Sequence, residues 1–234
     1  MDVISTIVPI EINILPENLV YLLNSTGEYE HICFFDSSLA PNKYSKYSYV
    51  CWEPMFVVQS NRQESTFLNC LSGEKQTFDI NPLLFLKEIS NSAVSQNNII
   101  YHSASEHDSD LSQKSNLPDF IGGLAGYISY DFKNYIEKLP QKAKDDIFLP
   151  LFSMAYYGNF LAYDIDNKKW FYIKNFTVKD KSNKSKKDQP VPDYFIDCLY
   201  SSGYSIGGDF SENNINEIVD IEKIRLTNEI KKPL

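Results

Sequence analysis

Short runs in which apolar and polar residues alternate occupy most of the first 180 positions, a period typical of β-strands. Pro54 divides the run 47–60 into two strands, because proline donates no hydrogen bond to a ladder. Apolar residues on both sides of the segment 72–75 (SGEK) predict a hairpin over 66–80. The pattern predicts another strand over 3–14, interrupted or edged at Pro9, and further strands over 31–35, 120–130, 152–163 and 169–178.

Two helices are predicted between these strands. The first begins at Pro16 and carries leucines at helical spacing, Leu19, Leu22 and Leu23. The second has Asn81 as its cap and Pro82 at its first position, and extends to about residue 90.

Polar segments separate or follow these elements. The segment 91–116 is predicted to be a mobile surface loop, and 134–147 is a charged amphipathic piece. The basic run 179–189 is either a phosphate-binding patch or a solvated loop, and the absence of interleaved aromatic residues favours the loop. The tail holds one helical pattern, at 215–230.

The composition supports a sheet-rich α+β fold and excludes some functions. The chain has 16 Tyr and 15 Phe, residue types that favour strands. Its formal charge of −9 repels phosphate backbones and anionic lipid surfaces, so nucleic-acid binding is not expected. No apolar run reaches the roughly 18 residues of a membrane helix, and the first 20 residues lack a basic leader, which predicts a cytoplasmic location.

The four cysteines form no metal-binding pattern. They lie far apart in the sequence without a CxxC pair or a histidine cluster, so zinc is not predicted and all four are expected to be reduced. They are Cys33, Cys51, Cys70 and Cys198. The three histidines join no Ser-His-Asp or Cys-His set, so no catalytic residue and no metal ligand is predicted.

One polar position has candidate ligand-binding chemistry. Asp36 and Ser37 follow the apolar strand ending at Phe35, and Tyr44 comes seven residues after Ser37. Hydroxyls and an aromatic ring at a strand end could bind the amine, carboxylate and ring of a small aromatic amino acid.

Glycines interrupt the run FIGGLAGYISY at Gly122, Gly123 and Gly126, before Tyr127. Their spacing fits neither a dinucleotide fingerprint nor a P-loop, so tight turns or a close backbone approach are the favoured interpretation. We expect this strand to pack against the strand that ends at Ser37.

Two segments together resemble the N-terminal domain of the anthranilate synthase and aminodeoxychorismate synthase component I family. Residues 33–54 are similar to the family's apolar strand, acidic-Ser pair, loop and Arg-Tyr-Ser. Residues 117–150 resemble its Pro-x-Phe-x-Gly-Gly-x-x-Gly-Tyr-x-x-Tyr-Asp block. The resemblance covers about 12–178, with departures at Lys46 and Cys51.

The resemblance implies antiparallel β-sandwich-like sheets with a few flanking helices, in a domain over 1–190, followed by a linker tail over 191–234. It implies a tryptophan-like ligand contacted by Ser37 and Tyr44, with Phe35 and Asp36 beside them. The glycine motif is structural in this interpretation. Asp36 in place of Glu leans toward the para-aminobenzoate branch of the family, which leads to folate.

The resemblance also implies partners. The catalytic, chorismate-binding domain would begin soon after residue 190, but its Gly-Asp-x-x-Gln block, acidic Mg²⁺ ligands and lysine do not appear. We therefore expect a non-catalytic front part, inactive alone and without a cofactor of its own, that works with that domain and a glutamine amidotransferase. The alternatives are the anthranilate synthase branch, with tryptophan feedback, and a stand-alone module that senses an aromatic amino acid or docks a protein.

Overall fold

The computed structural model describes residues 2–37, 45–93, 96–101, 117–140, 145, 147–177 and 206–207. The helices are α1 (Pro16–Thr26) and α2 (Pro82–Ala93), and a 3-10 helix spans Tyr130–Tyr135. The strands are β1 (Asp2–Ile12), β2 (Cys33–Phe35), β3 (Tyr47–Cys51), β4 (Phe56–Ser60), β5 (Ser65–Asn69), β6 (Lys75–Phe78), β7 (Gln96–Tyr101), β8 (Gly123–Ile128), β9 (Phe152–Tyr157), β10 (Asn159–Asp164), β11 (Lys169–Thr177) and β12 (Ile206–Gly207).

These strands form two sheets that belong to two compact units. The first sheet has the order β12-β1-β11-β10-β3-β2, with β7 also paired to β1, and the second has the order β6-β5-β4-β9-β8. Among the described strands, every pair is antiparallel except β1 with β7. The predicted α+β class with antiparallel sheets and few helices is confirmed.

Helix α1 covers one face of the first sheet. Leu19 and Leu23 are fully buried there, and the helix ends at Gly27 in the left-handed conformation that glycine adopts without strain. The indole N–H of Trp170 donates a 3.0 Å hydrogen bond to the carbonyl of Ile14, which joins β11 to the chain entering α1. The core on this face comprises Ile10, Ile12, Ile14, Leu19, Leu23, Val50, Trp52, Leu161, Tyr163, Trp170 and Tyr172.

Pro9 lies inside β1, and the neighbouring strands explain why it is tolerated. On one side β11 pairs with β1 from Val3 to Ile10. On the other side β7 pairs only as far as Ile7, and β12 begins at Glu11. Pro9 therefore falls in the gap between β7 and β12, where a ladder hydrogen bond is not required.

The second unit is built around aromatic packing. Phe56 stacks on Phe67 and Tyr156, with ring centroids 5.1 and 5.2 Å apart. The predicted helix cap is confirmed, because the Asn81 side-chain oxygen accepts hydrogen bonds from the backbone N–H groups of Leu83 and Leu84.

Three predictions about elements were wrong. The run 152–163 is not one strand: it divides at Gly158 into β9 and β10, which belong to different sheets. The segment 91–116 is not wholly a loop, because α2 continues to Ala93 and β7 pairs in parallel with β1 over six residues. β7 ends in the apolar residues IIY, and β1 offered it an unpaired edge.

The third wrong prediction is the burial of 31–35. Strand β2 covers only Cys33–Phe35 and lies at the end of its sheet among the described strands, so its side chains are only partly covered, and His31 is exposed. The predicted basic loop, most of the tail with its helical pattern, and the predicted boundary near 190 lie outside the described residues.

Candidate ligand site at the end of strand β2

The end of β2 holds three of the four predicted ligand contacts. Phe35 is 37% exposed, Asp36 is exposed and Ser37 is half-buried. The backbone N–H of Ser37 donates a 3.1 Å hydrogen bond to the Ser48 hydroxyl, and Ser48 is 2% exposed. This bond holds the strand exit against β3, so a side chain at Ser37 has a defined position. Tyr44, the fourth predicted contact, lies outside the described residues.

Four aromatic rings of the first unit form a cluster, which includes Phe35, two residues before Ser37. We call it the aromatic cluster: Phe35, Tyr49, Phe120 and Phe160. Phe120 stacks on Phe160 at 4.9 Å and meets Tyr49 edge-on at 5.6 Å. Phe35 lies 6.5 Å from Phe120, also edge-on. These separations are the ones that aromatic pairs prefer.

The phenols near the site are held neutral. Burial raises the pKa of Tyr49, the nearby Asp119 carboxylate raises it further, and the hydrogen bond with the Phe120 backbone acts in the opposite direction. Burial also raises the pKa of the neighbouring Tyr47, and the Asp164 carboxylate strengthens that shift. The aromatic cluster thus presents uncharged rings at neutral pH, with the Asp119 carboxylate near Tyr49. Asp36 follows Phe35 in the chain at an exposed position.

The chain that carries Phe120 is anchored by Asn175. The Asn175 amide donates to the carbonyls of Ile121 at 2.7 Å and of Gly158 at 2.6 Å, and its oxygen accepts a hydrogen bond from the Ser5 hydroxyl. Gly122 has φ +139°, and a Cβ there would collide with the Asn175 amide. Asn175 therefore positions the segment that brings Phe120 to Tyr49.

The predicted glycine motif has two parts in the structure. Gly122 precedes β8 and contacts Asn175, whereas Gly123 and Gly126 lie in β8. At Gly126 an added Cβ would meet the carbonyl of Ser153 on the paired strand β9. Tyr127, the last residue of the motif, is 41% exposed.

The prediction that the glycine strand packs against β2 was wrong, and the contact with β2 comes instead from a residue just before the glycines. Phe120 contacts Phe35, whereas β8 itself belongs to the other sheet. Sequence patterns missed Tyr49, Ser48 and Asn175 as site residues. Asn175 carried the best sequence signal, because its polar amide lies between the apolar residues of the run WFYIKNF. The structure shows that it is 5% exposed and hydrogen-bonded.

Within the described part of the chain, no group of three or more His, Cys, Asp or Glu side chains could hold a metal ion. None of the described helices is both long and apolar enough to cross a membrane. The groups at the end of β2 and in the aromatic cluster are rings, hydroxyls and the carboxylates of Asp36 and Asp119, which suit a small amphipathic organic ligand.

The chain is similar to anthranilate synthase component 1 of Acetivibrio thermocellus. The two are 28% identical over 147 residues, which are 62% of this chain and 26% of the relative. A crystal structure of anthranilate synthase component I from Streptococcus pneumoniae matches 81% of this chain and 36% of its own, with 18% identity and a TM-score of 0.42. No family model matches the chain.

The sequence match shows weak homology to anthranilate synthase component 1. The chain spans about a quarter of the length of the curated relative it matches. The homology does not distinguish the anthranilate from the para-aminobenzoate branch.

Proposed function

We propose that this chain is the non-catalytic front part of a chorismate-using aminase, and that it holds an aromatic amino acid at the end of β2. The observation that carries the proposal is the coincidence of two features. The homology to anthranilate synthase component I covers 147 residues, and the exit of β2 presents a hydroxyl and a carboxylate beside exposed aromatic surface.

The ligand chemistry follows from the groups present. A ring can pack against Phe35, which is partly exposed and touches Phe120. The Asp36 carboxylate suits the ligand's ammonium group, and the Ser37 hydroxyl suits its carboxylate. Tryptophan combines these three features in one molecule.

Asp36 leads us to propose the aminodeoxychorismate synthase branch, which makes the precursor of para-aminobenzoate. The anthranilate synthase branch is the second candidate, because the homologous relative carries that name. In both branches the chain would support a chorismate-binding domain that carries Mg²⁺, and a glutamine amidotransferase would supply ammonia. The described residues contain no acidic metal-binding cluster of their own.

The binding proposal is tested by thermal unfolding with L-tryptophan at millimolar concentration. A ligand that binds only the folded chain increases the free energy of unfolding by RT ln(1 + [L]/Kd), and the melting temperature therefore rises. We expect an increase of a few °C, which corresponds to about 1 kcal/mol or more for a chain of this size. D-Tryptophan should give a smaller shift, since inverting the α-carbon misplaces the amine and carboxylate.

Two variants locate the site. Ser37→Ala should abolish most of the L-tryptophan shift, whereas Ser25→Ala on α1 should retain it; the Ser25 hydroxyl is exposed and donates only to the Leu22 carbonyl. No shift in the unaltered chain, with no tryptophan retained through purification, would count against the site. A shift that survives in Ser37→Ala would place the ligand elsewhere.

A further inference from the structure

Strands β2 and β3 place two cysteines directly opposite each other. Cys33 is the register partner of Cys51, and both are free thiols. Opposite residues of an antiparallel pair point to the same face, with Cα atoms about 4.5 to 5.5 Å apart. A disulfide spans roughly 4.4 to 6.8 Å between Cα atoms. The register therefore already supplies the spacing that a disulfide requires.

We propose that Cys33 and Cys51 are a redox modification site, at which a small-molecule disulfide of the glutathione class converts the two thiols into a reversible intrachain disulfide. Neither the sequence pattern nor the homology assigns such a site, and the proposal does not depend on the proposed function.

The reaction balances in two exchange steps. The Cys33 thiolate attacks one sulfur of oxidised glutathione, forms a mixed disulfide and releases one glutathione thiolate. The Cys51 thiolate then attacks the Cys33 sulfur and releases the second glutathione. The two protein thiols lose two electrons and two protons in total, and one oxidised glutathione becomes two reduced molecules.

Exposure determines the order of these steps. Cys33 is half-buried on the edge strand, whereas Cys51 is fully buried on β3 between β2 and β10. An oxidant from solution can therefore reach Cys33 first. Cys51 lies opposite Cys33 in the register and is the neighbouring thiol that can attack the Cys33 sulfur.

The local environment makes the pair slow to react at neutral pH. Burial raises the pKa of the Cys33 thiol above its ordinary value of 9.0. Burial raises the pKa of Cys51 more strongly, and the neighbouring Cys33 adds to that shift. Because the thiolate is the nucleophile, the oxidation rate should rise by close to tenfold per pH unit below the thiol pKa.

The disulfide would fasten the edge strand that leads to Ser37. It closes the chain from Cys33 to Cys51, which includes the predicted ligand contact Tyr44. Cross-linking a loop of this length stabilises a fold chiefly by restricting the unfolded chain. Oxidation should therefore raise the melting temperature of the first unit, by roughly 5 °C or more.

The experiment uses the full chain, reduced and then exposed to oxidised glutathione, followed by alkylation and tryptic digestion without reductant. Trypsin cleaves after Lys43, Lys46 and Arg62, so the two cysteines fall in separate peptides, 1–43 and 47–62. We expect mass spectrometry to find these peptides joined in the oxidised sample and separate after dithiothreitol. The joined fraction should form faster as the pH rises toward 9.0, the ordinary thiol pKa.

Two variants provide the controls. Cys33→Ser should abolish both the joined peptide and the rise in melting temperature, and Cys70→Ser, which removes a partly buried thiol of the second unit, should change neither. The proposal would be overturned if peptides 1–43 and 47–62 carried only separate glutathione adducts. It would also be overturned if both peptides remained unmodified while Cys70 was glutathionylated. A link from 1–43 to any peptide other than 47–62 would overturn it equally.

Discussion

The phenol oxygen of Tyr49 accepts a 3.3 Å hydrogen bond from the backbone N–H of Phe120, although 71 residues separate them in the sequence. The same two residues pack their rings edge to face at 5.6 Å. This double contact holds Phe120, which precedes the glycines, against β3, the strand paired with β2. The proposed ligand site therefore depends on groups that anchor Phe120 as well as on the residues of β2.

Asn175→Ala is predicted to destabilise the first unit. The substitution leaves the buried Ser5 hydroxyl and the Ile121 carbonyl without the partners they have in the structure, whereas the Gly158 carbonyl keeps the Asn175 backbone N–H. Orphaned buried polar groups cost about 1 to 3 kcal/mol each, so we expect a loss of about 3 kcal/mol in the free energy of unfolding, measured in urea. Asn159→Ala, at an exposed position, should cost far less; equal losses would refute the anchoring role.

Gly126→Ala is predicted to weaken the pairing of β8 with β9. A Cβ at this position would collide with the Ser153 carbonyl and the Met154 Cα, and backbone atoms cannot move aside cheaply. Gly123→Ala is a matched control, because Gly123 also has a positive φ but its Cβ would meet nothing within 4 Å. Thermal unfolding should show a clearly lower melting temperature for Gly126→Ala than for Gly123→Ala. The corresponding difference in the free energy of unfolding is roughly 2 kcal/mol. Similar values would show that φ strain alone makes glycine necessary.

The chain is predicted to lose stability in alkali. Burial raises the pKa of Tyr172 well above its ordinary value of 10.0, and a nearby Glu53 carboxylate adds to the shift. The unfolded phenol ionises near 10.0 while the folded phenol stays protonated, so this contribution is complete below that pH and is lost progressively as the pH rises above it. The melting temperature should therefore fall as the pH is raised above 10.0.

Tyr172→Phe should make the melting temperature fall less steeply as the pH rises, because the substitution removes the ionisable group and keeps the ring. Tyr21→Phe serves as the matched control, because Tyr21 is 77% exposed and Tyr172 is 2% exposed. If the melting temperature of Tyr172→Phe falls as steeply in alkali as that of the unaltered chain, other buried groups cause the effect. Tyr156 is one of them, because burial also raises its pKa.

The isolated chain is predicted not to aminate chorismate. This follows from the proposed function: amination requires a metal ion to neutralise a dicarboxylate and a positioned acid or base, and the proposal assigns both to the chorismate-binding domain. Incubation with chorismate, Mg²⁺ and ammonia should yield neither aminodeoxychorismate nor anthranilate by mass spectrometry. Either product above the level of a protein-free control would disprove the prediction, and its identity would assign the branch.

Local patterns in the sequence determined most element types. Leucine spacing after Pro16 predicted α1, and Asn81 before Pro82 predicted the start of α2. Pro54 separated β3 from β4, and the segment 72–75 (SGEK) predicted the hairpin of β5 and β6. These features act over a few residues, because caps, turns and side-chain alternation depend on the neighbouring backbone.

The tertiary structure alone decided how the strands are shared between the sheets. No local signal other than Gly158 marks the change from β9 to β10, and β7 became a strand because β1 offered it an edge. The pairing of Cys33 with Cys51 and the approach of Phe120 to Tyr49 likewise depend on register and long-range contacts. Such contacts are set by which surfaces can be buried together, and that choice depends on residues distant in the sequence.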